Sequence, residues 1–313
     1  MFKFTAPYFL QKFSYPTLKE DDKKHVYLLG QGWFSKGFMD NIDLNRYKVT
    51  NIYKDEITNV GQLDKIIPFN YPIKYIKTTI KDIDVCNNII FTDNEHYDFT
   101  NNIVVCALGD NTPVKQWTKA IPDVSDYGIV GAGLVGTEMA FRLIDKGKTV
   151  TLIDGVPSIL TFLPMNLKLN IHNRFKQKNI LLYLNTMYKA ENHNFDHTVF
   201  AIGSRPNDLT RNWIQTRTLQ LKENPNVFFG GNCVWNTQII GLNLPTAQQA
   251  YDQGKHVANS LNTEITEYKV KNFIYAIYIG DGLTALYMNN SKYYIIIPTC
   301  LLNIYYKIKY GSN

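Results

Sequence analysis

Two glycine-rich turns in this chain have residue types and spacing that could bind phosphate groups. Gly131, Gly133 and Gly136 form the pattern GxGxxG directly after an apolar segment and before a helical one. In such a turn the first glycine permits a tight bend, the second lets the backbone approach a pyrophosphate, and the third lets helix and strand pack closely. A strand-to-helix turn without a ligand is the alternative interpretation. The helix start offers free N–H groups to phosphates, and the surrounding elements favour a nucleotide site.

An acidic residue follows this turn at the spacing that nucleotide sites use. Asp154 lies 23 residues after Gly131, at the end of the next predicted strand. A carboxylate there accepts hydrogen bonds from a ribose 2′-hydroxyl and repels a 2′-phosphate. The second turn is therefore predicted to prefer NAD(H) over NADP(H).

The first glycine turn is less regular. Gly30 and Gly32 occupy the first two places, but Ser35 stands in the third, with Gly37 two residues later. The position 23 residues after Gly30 holds Tyr53 instead of an acid. A small residue in the third place still permits close packing, so a second nucleotide site is predicted here on weaker grounds.

The elements around both turns follow one order: strand, turn, helix, strand, and later a short strand that ends in glycine. For the first turn they are Val26–Leu29, Phe34–Ile42, Tyr47–Tyr53 and Asn102–Leu108; for the second they are Tyr127–Val130, Thr137–Asp145, Lys148–Ile153 and Thr198–Ile202. Residues 56–81 are predicted to be irregular, and a β pattern returns at Ile83–Phe91. The repeated order predicts an α/β fold with two Rossmann-like units of the FAD/NAD-linked reductase type and a small C-terminal segment.

Composition excludes several other classes of function. The net charge of +6 is spread over short, interrupted blocks, which argues against a nucleic-acid partner. The histidines show no zinc-binding spacing, so no metal site is predicted. None of the four cysteines forms a CxxC pair, which argues against both a disulfide framework and a redox-active dithiol; they are Cys86, Cys106, Cys233 and Cys300.

Neither end of the chain predicts export or a membrane span. The start, Met1–Phe13, lacks the apolar core of a signal peptide, and the apolar run Tyr293–Tyr306 is too short to cross a bilayer. We therefore expect a cytoplasmic or peripheral-membrane location and no secretion.

Taken together, the motifs resemble those of the two-dinucleotide-domain FAD/NAD(P)H oxidoreductases. Within that family the chain is similar to type II NADH dehydrogenases and to AIF- and ferroptosis-suppressor-like quinone reductases, over most of residues 25–262. The matching segments are Leu29–Trp33, Ile103–Gly109, Gly131–Glu138, Ala201–Asn207, Asn226–Asn232 and Leu244–Gln248.

This resemblance implies two cofactors and two half-reactions: NADH gives hydride to FAD, and the flavin passes electrons to a second acceptor. The implied FAD-binding residues are Gly30, Gly32, Trp33, Gly109, Gly231, Asn232 and Ala247. The implied NADH-binding residues are Gly131, Gly133, Gly136, Asp154 and Gly203. Glu138 and Gln248 are the implied catalytic residues, where the two rings meet. The resemblance favours a quinone-like acceptor; oxygen and a redox protein remain alternatives.

The resemblance also divides the chain. It implies an extension at 1–24, a discontinuous FAD domain at 25–118 and 212–262, an NADH domain at 119–211, and a C-terminal segment at 263–313. That last segment is expected to form a dimer, contact a membrane peripherally or cap the fold. Asn232 replaces the family's aspartate, and only about a dozen residues separate Leu184 from His197, where the family has a longer β-meander. A degenerate, non-catalytic nucleotide-binding protein is therefore the alternative function.

Overall fold

The computed structural model describes residues 22–54, 69–110, 121–203, 205–239, 246–272, 274–288 and 291–310. The strands are β1 (Lys24–Leu29), β2 (Tyr47–Tyr53), β3 (Lys74–Lys77), β4 (Ile80–Asp84), β5 (Ile89–Thr92), β6 (His96–Asp98), β7 (Ile103–Cys106), β8 (Asp126–Val130), β9 (Thr149–Ile153), β10 (Leu181–Tyr183), β11 (His197–Phe200), β12 (Ile214–Gln215), β13 (Val227–Phe229), β14 (Asn236–Thr237), β15 (Ile274–Tyr278), β16 (Leu283–Met288) and β17 (Tyr294–Pro298). The helices are α1 (Trp33–Met39), α2 (Leu134–Ile144), α3 (Met165–Gln177), α4 (Ala247–Asn262) and α5 (Thr299–Tyr310).

The first glycine turn belongs to a five-stranded parallel sheet with the order β13-β7-β1-β2-β3. Its central strands are apolar on both faces because helices and loops cover both sides, as is typical of parallel sheets. Val26, Leu28 and Val105 face one core, whereas Leu29 and Val104 face the other.

Helices α1 and α4 pack together on one face of this sheet with their backbones in close contact. A Cβ on Gly37 would lie 2.0 Å from the backbone oxygen of Tyr251, and one on Gly254 would lie 1.9 Å from that of Phe34. Both glycines are therefore required by the close approach of the two backbones. Gly37, which the sequence placed just beyond the expected glycine, packs this helix pair.

The second glycine turn belongs to a four-stranded parallel sheet with the order β10-β9-β8-β11. Helices α2 and α3 bury Met139, Phe141 and Phe175 in a core that this sheet shares with the C-terminal strands. The antiparallel sheet β15-β16-β17 contributes Tyr275 and Ile277 to the same core. The C-terminal strands thus pack in the same core as α2.

The two predicted Rossmann-like units are confirmed, with small shifts in element bounds. The second helix begins at Leu134 instead of Thr137, directly after the glycine turn, and β11 ends at Phe200 instead of Ile202. The largest difference lies in the segment 56–81, which was predicted to be irregular. Residues 56–68 lie outside the described residues, and within 69–81 strand β3 adds an edge strand to the sheet. β3 has only four residues, none of them fully buried, so it lacks the apolar signal of a central strand.

Within 83–91, the single predicted β segment is two strands, β4 and β5, joined by a turn with Asn88 in a left-handed conformation. Together with β6 they form a separate antiparallel sheet next to the first unit.

Candidate functional site

The two glycine turns lie at the carboxyl ends of the central strands of their sheets, where ligands bind in open α/β folds. In the first turn, Gly30 has φ +94°, and a Cβ there would lie 2.6 Å from the backbone oxygen of Ala107. Its N–H donates to the oxygen of Ile52 on β2 at 2.8 Å. The following Gly32 precedes α1, and Trp33 begins that helix.

The second turn repeats this geometry. Gly131 has φ +113°, a Cβ on it would lie 2.4 Å from the backbone oxygen of Ala201, and its N–H donates to the oxygen of Ile153 at 2.7 Å. Gly133 is open, with no atom within 4 Å of an added Cβ, so a phosphate group has room to approach. A Cβ on Gly136 would lie 1.8 Å from the oxygen of Gly131.

The short strands β7 and β11 close both units in the same way. Ala107 on the chain after β7 donates its N–H to Leu29, and Ala201 after β11 donates to Val130, at 2.8 and 2.7 Å. Gly109 and Gly203 follow these alanines at equal distance. The predicted residues Gly109 and Gly203 therefore lie beside their respective glycine turns.

Asp154 lies directly after β9, beside the second turn, and holds it together. Its Oδ2 accepts a hydrogen bond from the N–H of Ala132 at 2.6 Å, and its Oδ1 accepts one from Val156 at 3.2 Å. A carboxylate has about four acceptor positions, so ribose hydroxyls can still bind. Asp154 thus fixes the turn from the end of β9.

The corresponding position of the first unit opens into a cavity of about 340 Å³. Its lining includes Gly30, Tyr53, Lys54 and Thr78, together with Asn207 from the chain that follows the second unit. The Thr78 hydroxyl is buried and has no hydrogen-bond partner in the described part of the chain. This cavity beside the glycine turn has room for part of a nucleotide.

One residue missed by sequence reasoning holds the first turn. The buried side chain of Asn51 on β2 donates to the oxygens of Leu28 and Gly30 at 2.9 Å and accepts from the amide of Gln31 at 2.8 Å. Asparagine is unusual inside a strand, and this was the available signal.

The ends of β7 and β13 bring together residues far apart in sequence. Asn232, in the 3₁₀ turn Gly231–Cys233, donates from its amide to the Oδ2 of Asp110 at 3.2 Å. Asp110 is only 3% exposed. Gly231 donates its N–H to the side chain of Gln253 on α4 at 2.7 Å. Asp110 was not predicted to belong to the site, because 122 residues separate it from Asn232.

Helix α4 begins beside this cluster. Its N-cap is Thr246, whose hydroxyl accepts from the N–H of Gln249 at 3.2 Å. Ala247 is exposed and Gln248 is half-buried in the first turn of the helix. Gln249 is 5% exposed, and its amide nitrogen has no partner among the described residues. The helix start therefore presents N–H groups and amide side chains together.

Glu138 lies on α2, one turn after the second glycine turn. Its Oε1 accepts a hydrogen bond from the backbone N–H of Tyr278 on β15 at 3.0 Å. This contact ties the predicted catalytic carboxylate to the C-terminal sheet, and it holds the side chain in a fixed direction.

Two cysteines that are distant in sequence meet at the end of β7. Cys233 donates from its thiol to the oxygen of Gly230 at 3.1 Å, and both Cys106 and Cys233 are fully buried and not disulfide-bonded. Burial raises the pKa of the Cys106 thiol well above its ordinary value. A thiol that stays protonated is a poor nucleophile, so burial disfavours attack by the Cys106 thiol.

The C-terminal elements expose an apolar surface. Tyr293 is 82% exposed, Ile295 on β17 is 60% exposed, and the helix α5 adds further apolar side chains, Leu301, Ile304 and Tyr305. Among the described residues, no helix combines the length and the apolar character needed to cross a membrane.

Comparison with known proteins gives a family match and a fold. Residues 108–254 match the model of the pyridine nucleotide-disulphide oxidoreductase family. No curated protein matches the sequence significantly.

Several solved structures share the fold at low sequence identity. NDH2 from Plasmodium falciparum, in complex with NADH, superposes with a TM-score of 0.72 at 14% identity, over 93% of this chain and 95% of that one. A water-forming NADH oxidase from Lactobacillus brevis has a TM-score of 0.68 at 15% identity, over 85% and 75%. A ferredoxin reductase from Rhodopseudomonas palustris has a TM-score of 0.67 at 15% identity, over 86% and 83%. The chain therefore matches the pyridine nucleotide-disulphide oxidoreductase family over residues 108–254, and its overall fold resembles that of NDH2.

Proposed function

We propose that this protein is an FAD-dependent NADH oxidoreductase. The observation that carries the proposal is the duplicated turn. Gly30 and Gly131 both have positive φ, and a Cβ added to either would lie less than 3 Å from a backbone oxygen just after the neighbouring strand. Two such turns in one chain supply two sites for a pyrophosphate at a helix start.

The residues of the first unit fit FAD. Gly30 and Gly32 leave the turn free of side chains for the pyrophosphate, and Trp33 begins the helix that points at it. The cavity beside Tyr53 has room for the adenosine. Gly109, Gly231 and Asn232 lie beyond the neighbouring strand ends, and Ala247 lies at the start of α4, where N–H groups stabilise negative charge.

The residues of the second unit fit NADH. Gly131, Gly133 and Gly136 form the phosphate-binding turn, and Asp154 faces the ribose position. The negative charge of Asp154 disfavours a 2′-phosphate, which supports NADH over NADPH. Gly203 lies at the end of the closing strand β11, on the same edge of the sheet.

When bound, the flavin supplies a hydride acceptor that can then release electrons to a second substrate. The residues of the chain position the two rings. Glu138, whose carboxylate accepts a hydrogen bond from the N–H of Tyr278, would orient the nicotinamide carboxamide. Gln248, at the start of α4, would donate an amide hydrogen bond where the two rings meet.

The proposed acceptor is quinone-like. Cys106 and Cys233 are both buried, and burial raises the pKa of the Cys106 thiol, which disfavours relay through a dithiol. The exposed apolar side chains of β17 and α5 suit peripheral contact with a lipid surface, where quinones dissolve, or contact with a second copy of the chain. Co-sedimentation with lipid vesicles and light-scattering mass separate these two uses of the surface.

The test of the proposed function is a visible absorption spectrum of the purified protein before and after anaerobic addition of NADH. A flavin spectrum that bleaches on addition supports both cofactors and the first half-reaction. A protein that binds no flavin even when FAD is supplied contradicts the proposal.

The alternative function is a non-catalytic nucleotide-binding protein of the same fold. Tyr53 and Asn232, which replace acids of the family, favour it. This alternative predicts that flavin binds but stays oxidised when NADH is added. The complete turn at Gly131–Gly136 with Asp154 favours the enzyme, because a protein without hydride transfer has less need of a nicotinamide site.

A further inference from the structure

Asp110 is a buried acid at the edge of the first sheet where a ligand would bind. It follows Gly109 directly, after the end of β7, and is only 3% exposed. Acidic side chains are rarely this buried unless they are paired or bind a ligand. Its position beyond the carboxyl end of a central parallel strand is where open α/β sheets bind ligands.

Asn232 meets this carboxylate from the neighbouring strand. Its amide donates to the Oδ2 of Asp110 at 3.2 Å, which directs the amide oxygen of Asn232 elsewhere. The pair places a carboxyl group and an amide side by side, and the adjacent Gly109 and Gly231 have no side chains to cover them. Such a pair suits a ligand with several hydroxyl groups, because each hydroxyl can donate to one oxygen and accept from another group.

We propose that Asp110, and not Asn232, is the anionic residue that binds the ribityl hydroxyls of the flavin cofactor, with Asn232 positioning its carboxylate. This inference rests on the proposed function, since it assigns a residue to the FAD of that same site. The hydrogen bond from Asn232 fixes the direction of the Asp110 side chain. At this edge of the sheet the carboxylate follows β7, and a neutral amide follows β13.

The test is a reciprocal exchange of the two side chains in the full-length protein. Asp110→Asn removes the charge and keeps the shape, and we expect FAD to bind about ten- to hundredfold more weakly, because a hydrogen bond to a charged group is lost. Asn232→Asp places a second carboxylate beside the first and also weakens FAD binding. The double variant Asp110→Asn, Asn232→Asp restores one acid to the pair and should bind FAD within about threefold of the parent, as expected of coupled neighbours.

A second ligand separates cofactor contact from a structural role. ADP contains the adenosine and pyrophosphate of FAD but no ribityl chain, so its inhibition constant as a competitor of FAD should be unchanged in Asp110→Asn. Asp82→Asn, which removes an exposed acid near the same unit, is the matched control and should alter neither ligand.

Three results would overturn the assignment: FAD affinity unchanged in Asp110→Asn, ADP and FAD weakened equally, or a double variant no better than the single one. Should Asp110→Asn not fold, the double variant decides alone through its FAD affinity. A parent protein that binds NADH but no FAD overturns the proposed function and this assignment together. A parent that binds FAD while Asp110→Asn binds it equally well overturns only this assignment.

Discussion

The two glycine turns of this chain differ in the residue that packs against the first glycine of the turn. In the second turn Gly136 takes the third position, where a Cβ would lie 1.8 Å from the oxygen of Gly131. In the first turn Ser35 takes that position, and its hydroxyl donates to the oxygen of Gly30 at 2.9 Å. The first unit therefore leaves room for a Cβ where the second has none. A missing glycine in the motif does not by itself mean a missing turn.

The turns also differ in what holds them from the second strand. Asp154 holds the second turn from the strand end, and ribose binding by the same carboxylate is part of the proposed function. Asn51 holds the first turn from inside the strand, two residues earlier than Tyr53. The residue that supports the turn is therefore at the strand end in the second unit and inside the strand in the first.

The largest effect should come from exchanging the third residue of each turn. Gly136→Ala places a methyl group against the oxygen of Gly131, and we expect it to lower the free energy of unfolding by about 3 kcal/mol or more and to abolish NADH binding. Ser35→Ala loses one hydrogen bond and should cost about 1 kcal/mol. Urea denaturation of both variants measures the difference, and equal costs would contradict the steric comparison.

Removal of the internal support of the first turn should have the next largest effect. Asn51→Leu leaves the buried amide of Gln31 without its acceptor and loses two hydrogen bonds to backbone oxygens. We therefore expect the free energy of unfolding to fall by about 2–4 kcal/mol. FAD affinity should fall while NADH affinity is retained. Leu152→Met, at the matching position of the second unit, is the control and should cost less than about 1.5 kcal/mol. Loss of NADH affinity in Asn51→Leu would show that the two turns are not independent.

Sequence reasoning located the turns because the signals are local. Glycine spacing, the apolar strands and the acid after β9 lie within a segment of about 25 residues, and each follows from the geometry of one strand-turn-helix unit. The edge strand β3 was not predicted, because it is short and partly exposed and its residues show no periodic apolar pattern.

The contacts of Asp110 with Asn232 and of Cys106 with Cys233 were not predicted from the sequence, for a different reason. These pairs form only because β7 and β13 are neighbours in the sheet, although more than 120 residues separate them in sequence. Strand order is a property of the whole fold, so no local pattern around Asp110 reveals its partner. The support that Asn51 gives to the turn was not predicted for the same reason, because its partners lie on β1 and in the turn after it, 20 to 23 residues earlier in the sequence.

The proposed role of Asp154 in ribose binding gives a smaller, more specific prediction. Asp154→Asn keeps an oxygen that can accept from the N–H of Ala132 but loses the charge that repels a 2′-phosphate. We expect the preference for NADH over NADPH to fall about tenfold, which corresponds to about 1.4 kcal/mol, with the fold intact. Binding titrations with both nucleotides measure it. Asp126→Asn, at the opposite end of the neighbouring strand β8, is the control, and an unchanged preference in Asp154→Asn would remove the ribose role from Asp154.

The smallest effect concerns pH and distinguishes the first sheet. His25 on β1 is partly buried and hydrogen-bonded to Thr50 at 2.8 Å, and burial, followed by the positive charges of Lys48 and Lys74, lowers the pKa of His25 below its usual 6.5. The unfolded chain therefore binds a proton more readily than the folded one, so this contribution to stability is present above pH 6.5 and is lost as the pH falls through that value and then through the lower folded pKa.

The matching position of the second unit holds Asp126, so the second sheet has no such histidine there. Because the His25 ring is only partly buried, solvent screening keeps the effect below about 1 kcal/mol. Urea denaturation at pH 7.5 and pH 5.5 should show a smaller loss of stability on acidification for His25→Gln than for the parent. If the two proteins lose stability equally, proton uptake by His25 on unfolding does not cause the loss. The pH response then no longer distinguishes the two units.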